Sequence, residues 1–155
     1  MTISELESGQ IDHALCLAVP GTAAGKWASP AQRTDGQSTA PNAIPEGAHF
    51  RLNPDLNLAS LNLPPLVYMM AVAAQKYGII ISNTSGAVAF RAEDPTQFIA
   101  QNGYSPYLGP SGQVGSPGAL FSNWPEQLMS LFPWNDLQLL PMSVQTQTST
   151  SWTRP

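Results

Sequence analysis

The sequence predicts a mostly β, α+β fold: a β-sandwich or jelly-roll-like domain with one main amphipathic helix at about residues 64–77 and short helices near 3–8 and 123–132. Three observations lead there. Fifteen prolines and 12 glycines, spread without a period through 155 residues, call for many turns and irregular connections. Between those turns lie short β-branched or alternating runs of strand length. One stretch alone keeps helical spacing over several turns. A chain of this length buries about two thirds of its unfolded surface around one core, so no covalent staple is required. The expected layout is a single β-rich domain over residues 1–142 and a polar Ser/Thr/Gln-rich tail over 143–155.

In chain order, Thr2, Ile3, Ser4 and Glu5 spell a capping box, with Gly9 as the stop of a very short helix. Ile11 to Val19 is apolar, ends at Pro20 and reads as a buried strand. Cys16, between Leu15 and Leu17, reads as a buried, inert thiol. Pro20 to Pro45 has no periodicity and one aromatic side chain, Trp27; such a long connection is the expected binding surface. Ala48 to Leu52 alternates as a half-buried strand would, with Phe50 and Leu52 inward and His49 and Arg51 outward. Leu56, Leu58 and Leu61 wrap the core ahead of Pro64 and Pro65, which open the main helix. Its Leu66, Met69, Met70, Ala73 and Tyr77 recur at spacings of three and four, and Gly78 stops it.

Gly78 to Ser82 reads as a strand, Asn83 to Gly86 as a turn and Ala87 to Arg91 as the return strand of a hairpin. Gly103 to Gly118 reads as a surface loop. Ser122 is placed to cap a helix carrying Pro125, Leu128, Met129 and Leu131, ending before Pro133. Asp136 to Met142 reads as a final strand. The tail is too polar and too poor in charge to pack alone, and is expected to order only against a partner or not at all.

Charged residues are only 10% of the chain, against roughly 25% in ordinary soluble domains. Much of the surface is therefore neutral or meant to be covered. The net charge is −4 and the six basic residues are scattered, which argues against nucleic acid as a partner. The opening MTISELESGQ lacks the apolar segment of an export signal or a membrane anchor, so neither secretion by that route nor membrane insertion is expected.

Catalytic patterns are weak. His13 and His49 are the only imidazoles and have no carboxylate or cysteine at ligand spacing, so no metal and no cofactor are expected. No GxSxG elbow occurs. Glu93 and Asp94 are adjacent, a poor arrangement for a glycosidase pair, and read as caps ahead of Pro95. Asp35, before Gly36, reads as a turn residue. The loop aromatics are better candidates, because amphipathic rings can stack on a sugar or anchor a protein interface. The candidate binding residues are thus Trp27, Tyr104, Tyr107 and Trp152, with Trp124 and Trp134 read as core filling.

As a set, IDHAL (11–15), SPAQRTDG (29–36), IPEGAHFRLNP (44–54), LNLPPL (61–66), AAQKYGIII (73–81), AEDP (92–95) and PWNDLQLLPM (133–142) resemble a recurrent actinobacterial module. Similar sequences occur in minor tail proteins of phages infecting actinobacteria and in the C-terminal part of uncharacterised secreted actinobacterial proteins. The resemblance spans about residues 3–142 and brings no catalytic residues. The chain lacks the upstream half and export signal of the secreted relatives, which favours the phage setting. What the resemblance implies is a non-enzymatic virion protein, a minor tail or tail-tip component that packs with other tail proteins or copies of itself, with a host-surface glycan as a further contact. The alternative is an extracellular fragment that binds carbohydrate or cleaves cell-wall polymer.

Overall fold

The computed structural model describes residues 1–146, an α+β chain of short elements. Its strands are β1 (Leu15–Val19), β2 (Lys26–Ala28), β3 (His49–Leu52), β4 (Ile79–Thr84), β5 (Ala89–Phe90), β6 (Leu137–Leu139) and β7 (Val144–Thr146). Its helices are α1 (Ile3–Ser8), α2 (Pro65–Lys76), α3 (Thr96–Asn102) and α4 (Pro125–Ser130), with single 3-10 turns at Leu58–Leu61 and Trp134–Asp136. Five strands form one sheet in the order β5-β1-β4-β3-β6, and β2 and β7 form a separate ribbon. The β1–β5, β3–β4 and β2–β7 pairs are antiparallel. The backbone bonds from Leu15 N–H to Gly78 and from Ser85 N–H to Val19 run β1 parallel to β4, so the larger sheet is mixed.

Contacts divide the chain into two units, each assembled from three separated segments. The first takes Met1–Leu15, Arg51–Gly78 and Arg91–Gln138. Here α1 starts as expected: the Thr2 hydroxyl accepts from Glu5 N–H and the Glu5 carboxylate accepts from Thr2 N–H, while Gly9 ends the helix in the left-handed region. Ile3 and Leu6 are its buried side. Proline at the start of α2 sacrifices an amide that has no helical partner anyway. The helix buries Leu66, Val67, Met70, Ala71, Ala73 and Ala74, a wider apolar face than the spacing of its large residues alone implied. Gly78, at φ 86°, closes it with its N–H on the Ala73 carbonyl. Gln75 fastens the preceding loop, donating to the carbonyls of Asn53 (2.8 Å) and Leu56 (2.9 Å).

Helix α4 packs on α2 and buries Leu128. Ser122 does not cap it. The N-cap is Trp124, whose N–H is taken by the Asn123 side chain, and Pro125 at N1 removes one of the amides a serine would have served. Helix α3, not expected from the sequence, follows Asp94, whose carboxylate accepts from Thr96 N–H at 2.8 Å.

The second unit takes Cys16–Phe50, Ile79–Phe90 and, at the end of the described chain, residues 139–146. Leu17 is buried and Cys16 is exposed, so the expectation of a buried thiol fails. In a strand neighbouring side chains face opposite ways, and the apolar neighbours that argued for burial put Cys16 outside. The expected hairpin also fails. β4 continues through Asn83 to Thr84, and β5 pairs with β1 (Leu17↔Phe90, Ala18↔Ala89) and not with β4. Neither Asn83 nor Gly86 takes the positive φ that a tight hairpin turn requires, and β1 and β3 already flank β4 in the sheet. The connection after Pro20 is not wholly irregular, because β2 lies within it. Asp136 to Met142 gives only the three-residue β6, and a further strand, β7, falls in the stretch read as tail.

Candidate functional site

Of the four aromatic candidates, Trp27 lies on a regular element. It sits in β2 directly opposite Gln145 of β7, flanked by the pairs Lys26↔Thr146 and Ala28↔Val144. Directly opposed residues of an antiparallel pair project to the same face, so the Trp27 indole and the Gln145 carboxamide stand side by side. They line a groove of about 430 Å³ together with Ser29, His49 and the connection Leu140, Pro141, Met142, Ser143. That connection is tied down where Leu140 N–H donates to the His49 carbonyl at 2.8 Å. Among the described residues, no Asp, Glu, Lys or Arg lines the groove.

Tyr104 and Tyr107 lie in the other unit and are engaged in packing. Tyr104 meets the Phe98 ring of α3 edge-on at 5.6 Å. Tyr107 stacks on Phe121 at 4.8 Å and donates its hydroxyl to the Glu93 carbonyl. Burial pushes the Tyr107 phenol above its ordinary value, and the charges of Glu93 and Asp94 add to the shift. Trp152 lies outside the described residues. Trp134 packs against Phe132 and donates its indole N–H to the Met129 carbonyl, whereas Trp124 is half exposed.

The adjacent acids are occupied as caps. Glu93 Oε2 accepts from Ile3 N–H at 2.8 Å, satisfying an orphan amide in the first turn of α1, and Asp94 serves α3. The hydrogen bonds of Thr96 hold the Asp94 carboxyl below its ordinary value. His13 bridges the Ala14 carbonyl (2.8 Å) and the Glu5 carboxylate (3.0 Å). Glu5 is held below its ordinary value first by the Thr2 backbone N–H, with the Thr2 hydroxyl and His13 adding smaller contributions. Among the described residues, no group of three or more His, Cys, Asp and Glu side chains could hold a metal ion. No described helix is long and apolar enough to cross a membrane.

The sequence reading missed a carboxyl pair in the second unit. Glu46 runs beside β2, its backbone carbonyl accepting from Ala28 N–H at 2.7 Å, and its side chain is only 4% exposed as a residue. Oε1 of Glu46 accepts from the Thr22 hydroxyl (3.3 Å) and from Asp35 N–H (3.4 Å). Asp35 Oδ1 in turn accepts from Thr84 N–H at 3.1 Å, and the Thr22 and Thr84 hydroxyls bond to each other. Burial, reinforced by the facing Asp35, pushes the Glu46 carboxyl up. The hydrogen bond from Glu46 and the Thr84 N–H hold Asp35 down, with Arg33 adding a smaller attraction. The two shifts run in opposite directions, as expected for carboxyls that face each other.

Three loop segments and the end of β4 converge on that pair, and glycines make the convergence possible. A Cβ on Gly47, at φ 83°, would overlap the Ala28 carbonyl, and one on Gly36 would overlap the backbone carbonyls of Thr22 and Ala23. Glu46 is too enclosed to meet a substrate, so the pair acts as a fastening. The sequence does carry one sign of it, the EG and DG dipeptides at 46–47 and 35–36, since glycine beside an acid allows backbone to close over it. Comparison with known proteins returns no match: no family model, no curated protein and no solved structure is significantly similar to this chain.

Proposed function

We propose that this chain is a non-enzymatic interaction protein of a phage virion, a minor tail or tail-tip component that packs with other tail proteins or with copies of itself. The observation that carries the reading is the exposure of large apolar side chains on a chain short of charge. Large apolar side chains including Leu61, Tyr68, Val72, Trp124, Leu131 and Val144 stand exposed on a chain with only 10% charged residues. Surfaces short of charge and carrying aromatic and aliphatic groups match the composition of interface cores. The virion setting is supported by the sequence resemblance to phage tail modules. The finer fold expectation, a sandwich or jelly roll, belongs to the same proposal, and its support is the presence of two sheets, one of five strands and one of two.

Mass spectrometry of gradient-purified particles is the decisive measurement. The chain should copurify with tails at a fixed stoichiometry and be placed by electron cryomicroscopy in the tail or its tip. Particles that lack it while their tails are complete would refute the proposal.

A further inference from the structure

We propose that the groove beside Trp27 is a binding subsite for a neutral saccharide, the chemistry a cell-surface glycan would present. The inference deepens the reading of the chain as a virion component that touches its host, and it rests on that reading for its setting but not for its geometry.

Three properties of the groove select the ligand. The first is the pairing of an indole with a carboxamide on one face of the β2–β7 ribbon, Trp27 opposite Gln145. An indole offers a flat apolar face suited to the C–H face of a pyranose, and the carboxamide offers both donors and an acceptor to the ring hydroxyls. Sugar hydroxyls give and take hydrogen bonds at once, so a lining of amide and hydroxyl groups matches them. Ser29 and Ser143 complete that lining.

The second property is charge. Among the described residues the lining holds no Lys or Arg to neutralise a phosphate, a sulfate or an acidic sugar, and no carboxylate to hold a cation. The third is shape and rigidity. A volume of about 430 Å³ falls in the range of small-molecule sites, with room for a short glycan segment. Its walls are a paired ribbon and a connection pinned at Leu140, so the backbone that carries the indole and the carboxamide is held in place before any ligand arrives.

The test uses the full-length chain labelled with nitrogen-15 and titrated with neutral oligosaccharides of glucose, galactose, mannose, arabinose or N-acetylglucosamine, with heparin oligosaccharides as the anionic arm. At least one neutral series should saturate in the millimolar range or below, moving the Trp27 indole and Gln145 carboxamide signals. Trp27→Ala should weaken that binding by about tenfold, the loss expected for one aromatic stacking contact. Trp27→Tyr should keep most of it. Gln145→Ala, at an exposed position, should weaken binding with the fold intact, which covers the case in which Trp27→Ala disturbs the ribbon. Tyr104→Ala should change nothing. The inference is overturned if no neutral series shifts these signals, if only heparin does, or if binding persists undiminished in both Trp27→Ala and Gln145→Ala. A chain found in virions that fails this titration removes the groove alone, whereas saccharide binding by a chain absent from virions removes only the setting.

Discussion

At the scale of single residues, the Glu46–Asp35 pair makes the second unit sensitive to pH in a definite direction. Because the Glu46 carboxyl is pushed up, folding tightens its hold on a proton. That contribution is complete below the ordinary value of 4.5 and is lost as pH rises through the folded value. Asp35 is held down, so folding favours its ionised form. That contribution is present above the ordinary value of 3.8 and is lost as pH falls through the folded value. The pair therefore favours folding most in weak acid. Glu46→Gln keeps an acceptor for Thr22 and removes the titrating carboxyl. It should flatten the decline in thermal stability between weak acid and neutrality; an equally steep decline in the variant would contradict this account.

Two glycine substitutions separate conformation from space. Gly9→Ala meets nothing within 4 Å and should cost about 1 kcal/mol, the price of a positive φ. Gly47→Ala adds overlap with the Ala28 carbonyl and should cost about 3 kcal/mol or more. Denaturant unfolding of the two variants measures the difference, and equal losses would show that the backbone around Gly47 yields.

At the scale of elements, α1 is held by two carboxylates, one from its own first turn and one from Glu93, far along the chain. Glu93→Ala should lower stability by about 1 kcal/mol, as loss of a cap does, with faster amide exchange concentrated in residues 3–8. Uniform exchange changes across the chain would argue against a local role. Met70→Ala, at a site 1% exposed on α2, should cost about 2–5 kcal/mol by opening a cavity.

These elements also show what the sequence could reveal. Helices α1 and α2 were legible because their signals are local: a capping box, proline at N1, periodic apolar residues and a closing glycine all lie within one or two turns. The hairpin after β4 was misread for the same reason. A good turn sequence does not reveal that β1 stands ready to take the return strand. The sequence around Trp27 reads as loop because β2 is three residues long and owes its existence to β7, from the far end of the described chain. The groove was half visible, since Trp27 was singled out while Gln145 and His49 lacked any local mark. The carboxyl pair was invisible for a related reason: Asp35 and Glu46 have separate turn explanations until Thr22 and Thr84 are brought to them.

At the scale of the whole molecule, the strand order β5-β1-β4-β3-β6 joins segments from both ends of the described chain. Such topologies fold more slowly than helical bundles of equal size, because loops must close before their contacts form. A deletion ending before β6 should leave the five-stranded sheet without its last strand and abolish the cooperative melting transition. A sharp transition in that truncation would show that the first four strands suffice.

The interleaving of the two units carries a practical consequence. Each is threaded from three separate stretches, with the chain crossing from one to the other four times, at residues 15, 50, 78 and 90, and once more at 138. No single cut therefore releases either unit as a continuous fragment. Binding maps made from nested truncations would lose both at once, and would assign to every region whatever activity either unit holds. Point substitutions such as Gln145→Ala or Glu46→Gln, which leave the threading whole, are the means by which this chain can be dissected.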